Sequence, residues 1–506
     1  MFGLTRSVFV VALSTGLLVA CSSSNNTPAT PAPPVAEPPP EPTYLDVSLP
    51  SVESPPDEGD IALLSTFFNF EDLGFVQEEF FLSGSASSFT NLNEFQRDGL
   101  WDAEPAEEAD YKTRVVVYRP ASSEDFSGTV LVEWLNVTQG FDVPVGWGVG
   151  HVEALRGGHA WVNVSAQLIG IEGVENPPLP LALKDANPVR YESLVHPGDS
   201  FSYDIFTQVS AAVRDTSPEG IMGGLEANIL IAGGESQSAS RLLTYINAVQ
   251  PLYGGYDAFL VDSRYDSSQP LSQEPLAEIR APESVTFRDD IPFPVINLQA
   301  ETDVIPLGAV DERQPDSEYF RLWEVTGIAH NDNYQLVTGR NDTGSDPSYA
   351  VVVENNSILG FSSCDKPLNS GAYPWVYMAA LKALEIWVRD GTPASEADRL
   401  ATLDDDSDYQ YDDHGNVLGG LRTPYVDAPA ARLSGELNDG GAGCRLSGTT
   451  TLFDAAKMAS LYVDKAGYVS AVTEASDQTV ERGFLLLPDA ERIKAAAELQ
   501  WDALNL

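Results

Sequence analysis

Residues 229–240 read Ile-Leu-Ile-Ala-Gly-Gly-Glu-Ser-Gln-Ser-Ala-Ser, and no other stretch limits the possible folds so tightly. An apolar run ends in paired glycines and a serine. A helix-forming run then brings Arg241, Leu242, Leu243, Tyr245 and Ile246. The pattern is strand, tight turn, helix, with Ser236 at the apex. A serine held there projects its Oγ above the end of a sheet, where it can attack a substrate. Small residues are needed two before and two after it, because strand and helix nearly touch. Gly234 meets the first requirement, and Ser238 stands where a G-x-S-x-G motif has its second glycine. The competing reading is a Gly/Ser loop without chemistry, and the motif alone leaves the two even.

Two further segments favour chemistry. Residues 294–306 read as a buried strand that ends in two carboxylates, Glu301 and Asp303. Residues 319–332 read as another strand, then Gly327, then His330. The chain order is therefore serine, acid, histidine, each placed just after an expected strand, as in α/β hydrolases. A serine hydroxyl is a poor nucleophile until an imidazole takes its proton, and the imidazole needs a carboxylate to hold its tautomer and stabilise its charged form. The chain has five histidines, so one in this place carries weight. The bland alternative for His330 is an ordinary loop histidine.

A resemblance joins these pieces to the rest of the chain. The segments Val132–Val137, Trp161–Gln167, His196–Asp204, Gly234–Ser238, Arg321–Val325, His414–Asn416 and Gly419–Pro424 resemble a bacterial branch of the α/β-hydrolase superfamily, the "alpha/beta hydrolase domain" proteins. The likeness spans most of residues 60–506. It implies an α/β fold with a mostly parallel central sheet, flanking helices and loop or cap insertions. It implies Ser236, His330 and Asp303 as the triad, with Glu301 as the alternative acid. In hydrolases of this fold the acid often falls nine residues after the proline that opens its strand, and Pro294 plus nine is Asp303. An extended chain would aim Glu301 and Asp303 to one side, leaving Glu301 a supporting or substrate-facing role. The oxyanion donors implied are the backbone N–H of Gln237 and one from the loop after strand 129–134, Asn136 or Leu135.

The N-terminus reads as a targeting segment. Arg6 precedes an apolar run at 7–20, too short for a comfortable membrane span. It ends Leu18-Val19-Ala20-Cys21, which resembles the lipobox of bacterial lipoproteins and makes Cys21 the expected lipidated terminus. The alternative is an ordinary secretory signal. Ser22 stands where an inner-membrane protein would carry Asp, which points to an outer membrane or the cell surface. Residues 21–58 are rich in Ser, Pro, Asn, Thr and Glu and read as a disordered spacer. The expected organisation is therefore a signal peptide at 1–20, a linker at 21–58 and one large hydrolase domain at 59–506.

With 75 acidic against 28 basic residues, the formal net charge is −47. That excludes the basic footprint nucleic-acid binding requires. Three cysteines occur. With Cys21 lipidated, Cys364 and Cys444 remain in an oxidising compartment, and a single disulfide is the natural reading against two buried thiols. No metal and no cofactor are expected. The acidic run 404–413 suggests calcium at first sight, but Tyr409 and Gly415 stand where a calcium loop has its turn glycine and bidentate glutamate, so a solvated acidic loop is preferred.

Strands are expected at 113–118, 129–134, 159–165, 227–232, 258–262, 294–299 and 319–325, and helices at 201–214, 238–249 and 374–389, the last stopped by Gly391 and Pro393. The C-terminal stretch 451–506 reads as helical, with a helix start at Pro488. The long loops 166–200 and 263–292 are the expected cap. Trp134, Phe141 and Trp147 are either an acyl pocket or ordinary core. Asp199 or Ser200 is expected to cap the helix from 201; His196 is open, and His151, His159 and His414 are read as structural. Glu235 beside the serine is either a loop and pKa modulator or a surface carboxylate.

Together these readings point to an exported, lipid-anchored serine hydrolase acting on carboxylic esters, small or polymeric. The alternatives are an inactive surface binding or scaffold lipoprotein on the same fold, or the same triad turned on polyesters, amides or lactones. Oligomeric state is not legible in the chain.

Overall fold

A six-residue run as apolar as Thr129–Trp134 is stable as a strand only when both of its faces are covered. In the computed structural model, which describes residues 44–56, 59–177 and 179–504, Val130, Val132 and Trp134 enter one hydrophobic layer and Leu131 enters the other. The neighbours repeat the alternation. Phe259 and Val261 lie on the first side, Ala258 and Leu260 on the second. Each fully buried Val, Leu or Ile contributes about 1.5–3 kcal/mol, so these strands make the sheet the backbone of the core.

Nine strands form the sheet: β1 (Ser51–Glu53), β2 (Phe75–Asn91), β3 (Ala103–Pro120), β4 (Thr129–Trp134), β5 (Ala160–Val164), β6 (Ile229–Glu235), β7 (Ala258–Asp262), β8 (Val295–Ala300) and β9 (Phe320–Val325). Their spatial order is β1-β2-β3-β5-β4-β6-β7-β8-β9. Pairing is antiparallel from β1 through β5 and parallel from β5 through β9. This is the mostly parallel sheet expected.

Helices α1 (Val145–Gly157), α2 (Ser202–Arg214), α3 (Gln237–Thr244) and α4 (Tyr373–Asp390) flank it. The apolar residues of α1 and α4 lie in one layer, those of α2 and α3 in the other. Helices α5 (Ala455–Tyr462), α6 (Lys465–Glu481) and α7 (Leu487–Ala503) add Met458, Tyr468, Val472, Ile493 and Trp501 to the α1/α4 side. Helix α4 stops where expected: Gly391 adopts φ 68° and returns its N–H to Trp387, a left-handed cap that a side chain resists.

Several boundaries differ from the expectations. The chain divides into Met1–Thr43 and Tyr44–Leu506, and all the described residues belong to the second unit. The Leu45 N–H donates to Leu252 and Val52 pairs with Leu82. The domain therefore starts about Tyr44, not at 59, because a short edge strand needs no apolar run. The segment 1–20 expected to be a signal peptide, and Cys21, lie outside the described residues. The strand expected at 113–118 is the end of an 18-residue β3 that pairs along β2. The helix expected at 238–249 is α3 followed by a π turn at Tyr245–Val249. The C-terminal helical stretch is preceded by a strand, Thr449–Leu452, paired with Ala431–Ser434. No helix among the described residues is long and apolar enough to cross a membrane.

Candidate active site

The turn after β6 is as tight as the small residues implied. A Cβ on Gly234 would sit 3.1 Å from Leu242 Cδ1 and from the backbone carbon and Cβ of Ser238. Ser238 thus fits where a larger side chain would not. Ser236 has φ 58° and ψ −117°, a strained conformation for a residue with a Cβ. Its N–H is fixed by the carbonyl of Asp262 at the end of β7, 3.0 Å away. The side chain is largely buried, with 9% exposure.

Ser236 Oγ lies 2.9 Å from His330 Nε2, and His330 Nδ1 lies 2.6 Å from Asp303 Oδ1. The other Asp303 oxygen accepts the Ala300 N–H at 2.7 Å, which fixes the carboxylate against the end of β8. The three candidate residues come from the ends of β6, β8 and β9, and their side chains form one hydrogen-bonded line.

Glu301 takes no part in that line. Residues Glu301–Val304 form one helical turn, not the extended chain assumed in placing both acids on one side. Glu301 instead accepts the N–H of Gly327 and of Gly435, each at 2.7 Å. Burial pushes its pKa up to about 7 against the pull of those two donors. Between the two acids, Thr302 Oγ1 accepts the His330 N–H at 3.2 Å and donates to the Gly435 carbonyl. Tyr409 braces the same turn, donating to the Glu301 carbonyl at 2.5 Å and accepting the Ile305 N–H.

Asn136 reaches the site, but by its side chain. Its backbone N–H donates to Val143 at 3.2 Å, and that of Leu135 to Val164 at 3.2 Å. Neither N–H is directed at Ser236, so the oxyanion role expected of them is corrected: the loop folds back on itself as a small bridge between Asn136 and Val143. The Asn136 Nδ2 donates to the Glu235 carbonyl at 3.0 Å and to Glu235 Oε2 at 2.9 Å. Gln237 is the first residue of α3, where a backbone N–H has no partner within the helix.

The electrostatics centre on His330. Burial opposes a charge on the ring, but Asp303 and then Glu235 outweigh it and hold the pKa well above the ordinary histidine value. Glu235 Oε1 lies 3.1 Å from Nε2. Asp262, beneath the turn, is buried and pushed well above the ordinary carboxylate range; it accepts the Tyr373 hydroxyl at 2.5 Å. Glu133, at the end of β4, is raised to about 7 by burial. It accepts the Gly146 and Trp147 N–H groups at the start of α1 and the Trp161 indole N–H. Sequence reasoning passed over Asp262 and Tyr373; the one available signal was a carboxylate closing an apolar strand.

Other expectations resolve individually. Trp147 packs on Tyr118 and Trp161, and Trp134 on Tyr203 and Phe206, so both are core. Asp199 does not cap its own helix: it accepts the Leu168 N–H, the Gln167 side chain and the Arg241 guanidinium. The Ser200 hydroxyl donates to the Gln273 carbonyl and accepts the Gln273 N–H, which joins the two long loops expected to form a cap. His196 is structural, with Nε2 at 2.9 Å from the Ala166 carbonyl and Nδ1 accepting from Gly198. His151 and His159 bond within the core or to Ser127, and His414 lies against Phe453. In the 404–413 loop the acids turn on their own segment, Asp405 to Ser407 and Asp406 to Thr402. Among the described residues no cluster of His, Cys, Asp and Glu is suited to a metal ion. Cys364 and Cys444 form a disulfide.

A family model described as "Alpha/beta hydrolase domain" matches residues 47–495. No curated protein matches the chain. Solved structures similar to it include an esterase of Pyrococcus furiosus, at 10% identity and TM-score 0.28, covering 56% of this chain and 89% of that one. A glucuronoyl esterase from Solibacter usitatus is similar at 8% identity and TM-score 0.27, covering 56% and 83%. Acetyl xylan esterase 1 from a Thermoanaerobacterium species is similar at 10% identity and TM-score 0.24, covering 47% and 81%. Likenesses of that size carry no argument about chemistry.

Proposed function

The chain belongs to this alpha/beta hydrolase domain family, and from that premise we propose that it is a serine hydrolase cleaving carboxylic esters. One observation carries the reading: the Ser236 hydroxyl stands 2.9 Å from His330 Nε2 while Asp303 stands 2.6 Å from Nδ1 of the same ring. Asp303 accepts the Nδ1 proton, which leaves Nε2 as the base that faces the nucleophile. Ser236 Oγ attacks the ester carbonyl as its proton passes to Nε2. The charge on the carbonyl oxygen develops beside the first turn of α3, where the Gln237 N–H and the positive end of the helix stabilise it. The ring then gives its proton to the leaving alcohol, and water, activated by the same nitrogen, releases the acid. The ester preference comes from the fold family, since the same groups serve amides, lactones and polyesters.

A fluorophosphonate probe tests the reaction class. The protein becomes labelled at Ser236, and Ser236→Ala abolishes both labelling and turnover while the melting curve persists. Near-normal hydrolysis by Ser236→Ala ends the proposal in this form. A panel of esters of graded acyl length then defines the substrate.

The reading extends to location. Leu18-Val19-Ala20-Cys21 supports export with a lipid on Cys21, and Ser22 supports an outer-membrane or surface address. Cys21→Ser releases the protein from membranes or leaves it unprocessed. A mature N-terminus elsewhere, with a free Cys21 thiol by mass spectrometry, rejects the anchor without touching the hydrolase.

A further inference from the structure

The imidazole of His330 is flanked by two carboxylates, and the second sits on the side where the serine proton must arrive. Nδ1 faces Asp303 at 2.6 Å. Nε2 faces both Ser236 Oγ, at 2.9 Å, and Glu235 Oε1, at 3.1 Å. We propose that Glu235, held in place by Asn136, is a second charge partner of the catalytic imidazole and sets the pH at which Ser236 can be activated. This rests on the serine hydrolase reading above and deepens it.

With its proton on Nδ1, a neutral His330 presents a lone pair at Nε2, ready to accept the serine O–H. An ionised carboxylate oxygen 3.1 Å from that nitrogen would oppose lone pair to lone pair. The contact is attractive only when a proton lies between the two atoms. Asn136 fixes which oxygen faces the ring, because its amide donates to Glu235 Oε2 at 2.9 Å and leaves Oε1 toward Nε2. The second Asn136 bond, to the Glu235 carbonyl at 3.0 Å, fixes the amide itself. The resting arrangement is therefore an imidazolium whose Nε2–H is shared between Glu235 and the serine oxygen.

The surroundings reinforce this. Glu235 is 5% exposed and His330 2%, so water screens their attraction little. The other acids nearby are Asp303, Asp262 from the end of β7 and Glu133 from the end of β4. Burial holds Asp262 well above the ordinary range, and its neighbour Tyr373 donates to it. Burial also raises Glu133 to about 7. Asp303 and Glu235 are thus the two carboxylates positioned on the ring itself.

Two consequences follow. The ring must lose the shared proton before it can take the one from Ser236, so activity begins at a higher pH than a lone Asp–His pair would give. Once neutral, the ring is a stronger base, because the imidazolium formed during attack is stabilised from both sides. The proton balance is unchanged: the serine proton goes to Nε2 and then to the leaving alcohol.

The rate of fluorophosphonate labelling measured against pH reads the ionisation directly. In the wild-type chain the acidic limb is expected to have its midpoint above about 6.5, the ordinary histidine value. Glu235→Gln keeps the size and the Asn136 contact but removes the charge, and its midpoint falls by about 1–3 pH units. Asn136→Ala frees the carboxylate and gives a smaller fall. A merely structural Glu235 would lower the plateau and leave the midpoint in place. A wild-type midpoint at or below 6.5, or an unmoved midpoint in Glu235→Gln, overturns the proposal. Should Glu235→Gln fail to fold, the wild-type midpoint and Asn136→Ala decide it. No labelling at any pH removes the serine hydrolase reading and this inference together, whereas labelling at Ser236 with an unmoved limb removes this inference alone.

Discussion

Asn331, the residue after His330, donates its backbone N–H to the carbonyl of Leu446 at 3.0 Å. Leu446 lies two residues beyond Cys444, whose sulfur is bonded to Cys364. Asn369, five residues past Cys364, donates its own N–H to Ser447 and accepts that of Asn333. Its side chain donates to Gly327 at 3.2 Å. The loop that carries the histidine is thus seated on the two segments the disulfide joins.

That seat predicts a joint effect on stability and activity. The disulfide spans 80 residues, and closing a loop of that length in the unfolded chain is worth about 4.5 kcal/mol in the chain-entropy picture. A Cys364→Ala/Cys444→Ala variant is expected to lose a stability of that order in denaturant melts. It should also lose hydrolysis at temperatures where it remains folded, because the histidine loop is less firmly held. A variant with full stability and full activity would show that the backbone bonds alone hold the loop.

The two acids after β8 should separate cleanly. Asp303→Asn leaves a carboxamide on Nδ1, which cannot stabilise the imidazolium; the serine-protease precedent is about 10⁴-fold in kcat. Glu301→Gln should spare most of kcat and lose stability instead. A carboxamide offers one acceptor oxygen where the Gly327 and Gly435 N–H groups each require one, and an unsatisfied buried group costs about 1–3 kcal/mol. Paired kinetics and melts check the ranking. A large kcat loss in Glu301→Gln with a normal melt contradicts it.

Much of this was legible in the chain because the informative residues follow strands. Ser236, the Glu301/Asp303 pair and His330 each follow an apolar strand, so the strand pattern located their segments, while the preference for Asp303 over Glu301 came from the resemblance, through its spacing from Pro294. The strands buried on both faces were equally plain, since 258–262 and 129–134 are β7 and β4 unchanged. The long β2 and the first half of β3 were not, because an antiparallel hairpin can leave one face in water. Ser83–Ser88 and Glu104–Asp110 carry no continuous apolar run that would mark a strand. Contacts that close the site were also invisible. Asn136 meets Glu235 across 99 residues and Tyr373 meets Asp262 across 111, and no local pattern records such distances. Glu301 likewise meets Gly435 across 134 residues.

The strain at Ser236 gives a test that parts function from stability. With φ 58° and ψ −117°, the serine occupies a region in which a Cβ is costly, by about 1–3 kcal/mol. Ser236→Gly removes both the proposed nucleophile and the Cβ. It should abolish hydrolysis and raise the melting midpoint above that of the wild type, whereas Ser236→Ala abolishes hydrolysis with little gain. A destabilised glycine variant would mean that the serine hydroxyl contributes more to the fold than its backbone costs.

Asp332 supplies the last prediction, on stability against pH. Its carboxyl is fully buried, with Oδ1 accepting the Gln335 N–H at 2.7 Å and Oδ2 without a protein partner. It lines a cavity of about 140 Å³ with Tyr334, Trp375 and Tyr425. Burial raises its pKa to about 7, with the Gln335 and Tyr334 N–H groups opposing. The folded value lies above the unfolded one near 3.9, so the folded state binds more protons between those values. Stability from this group is therefore full below about pH 4 and is lost as pH rises through 7. Asp332→Asn keeps the Oδ1 acceptor and removes the titration. It should be more stable than the wild type at pH 8, by on the order of 1–3 kcal/mol, with the gap closing toward pH 5. Melts of the two proteins at pH 5 and 8 measure that crossing. Equal stabilities at both values would mean that the carboxylate is solvated through the cavity and costs the fold nothing when it ionises.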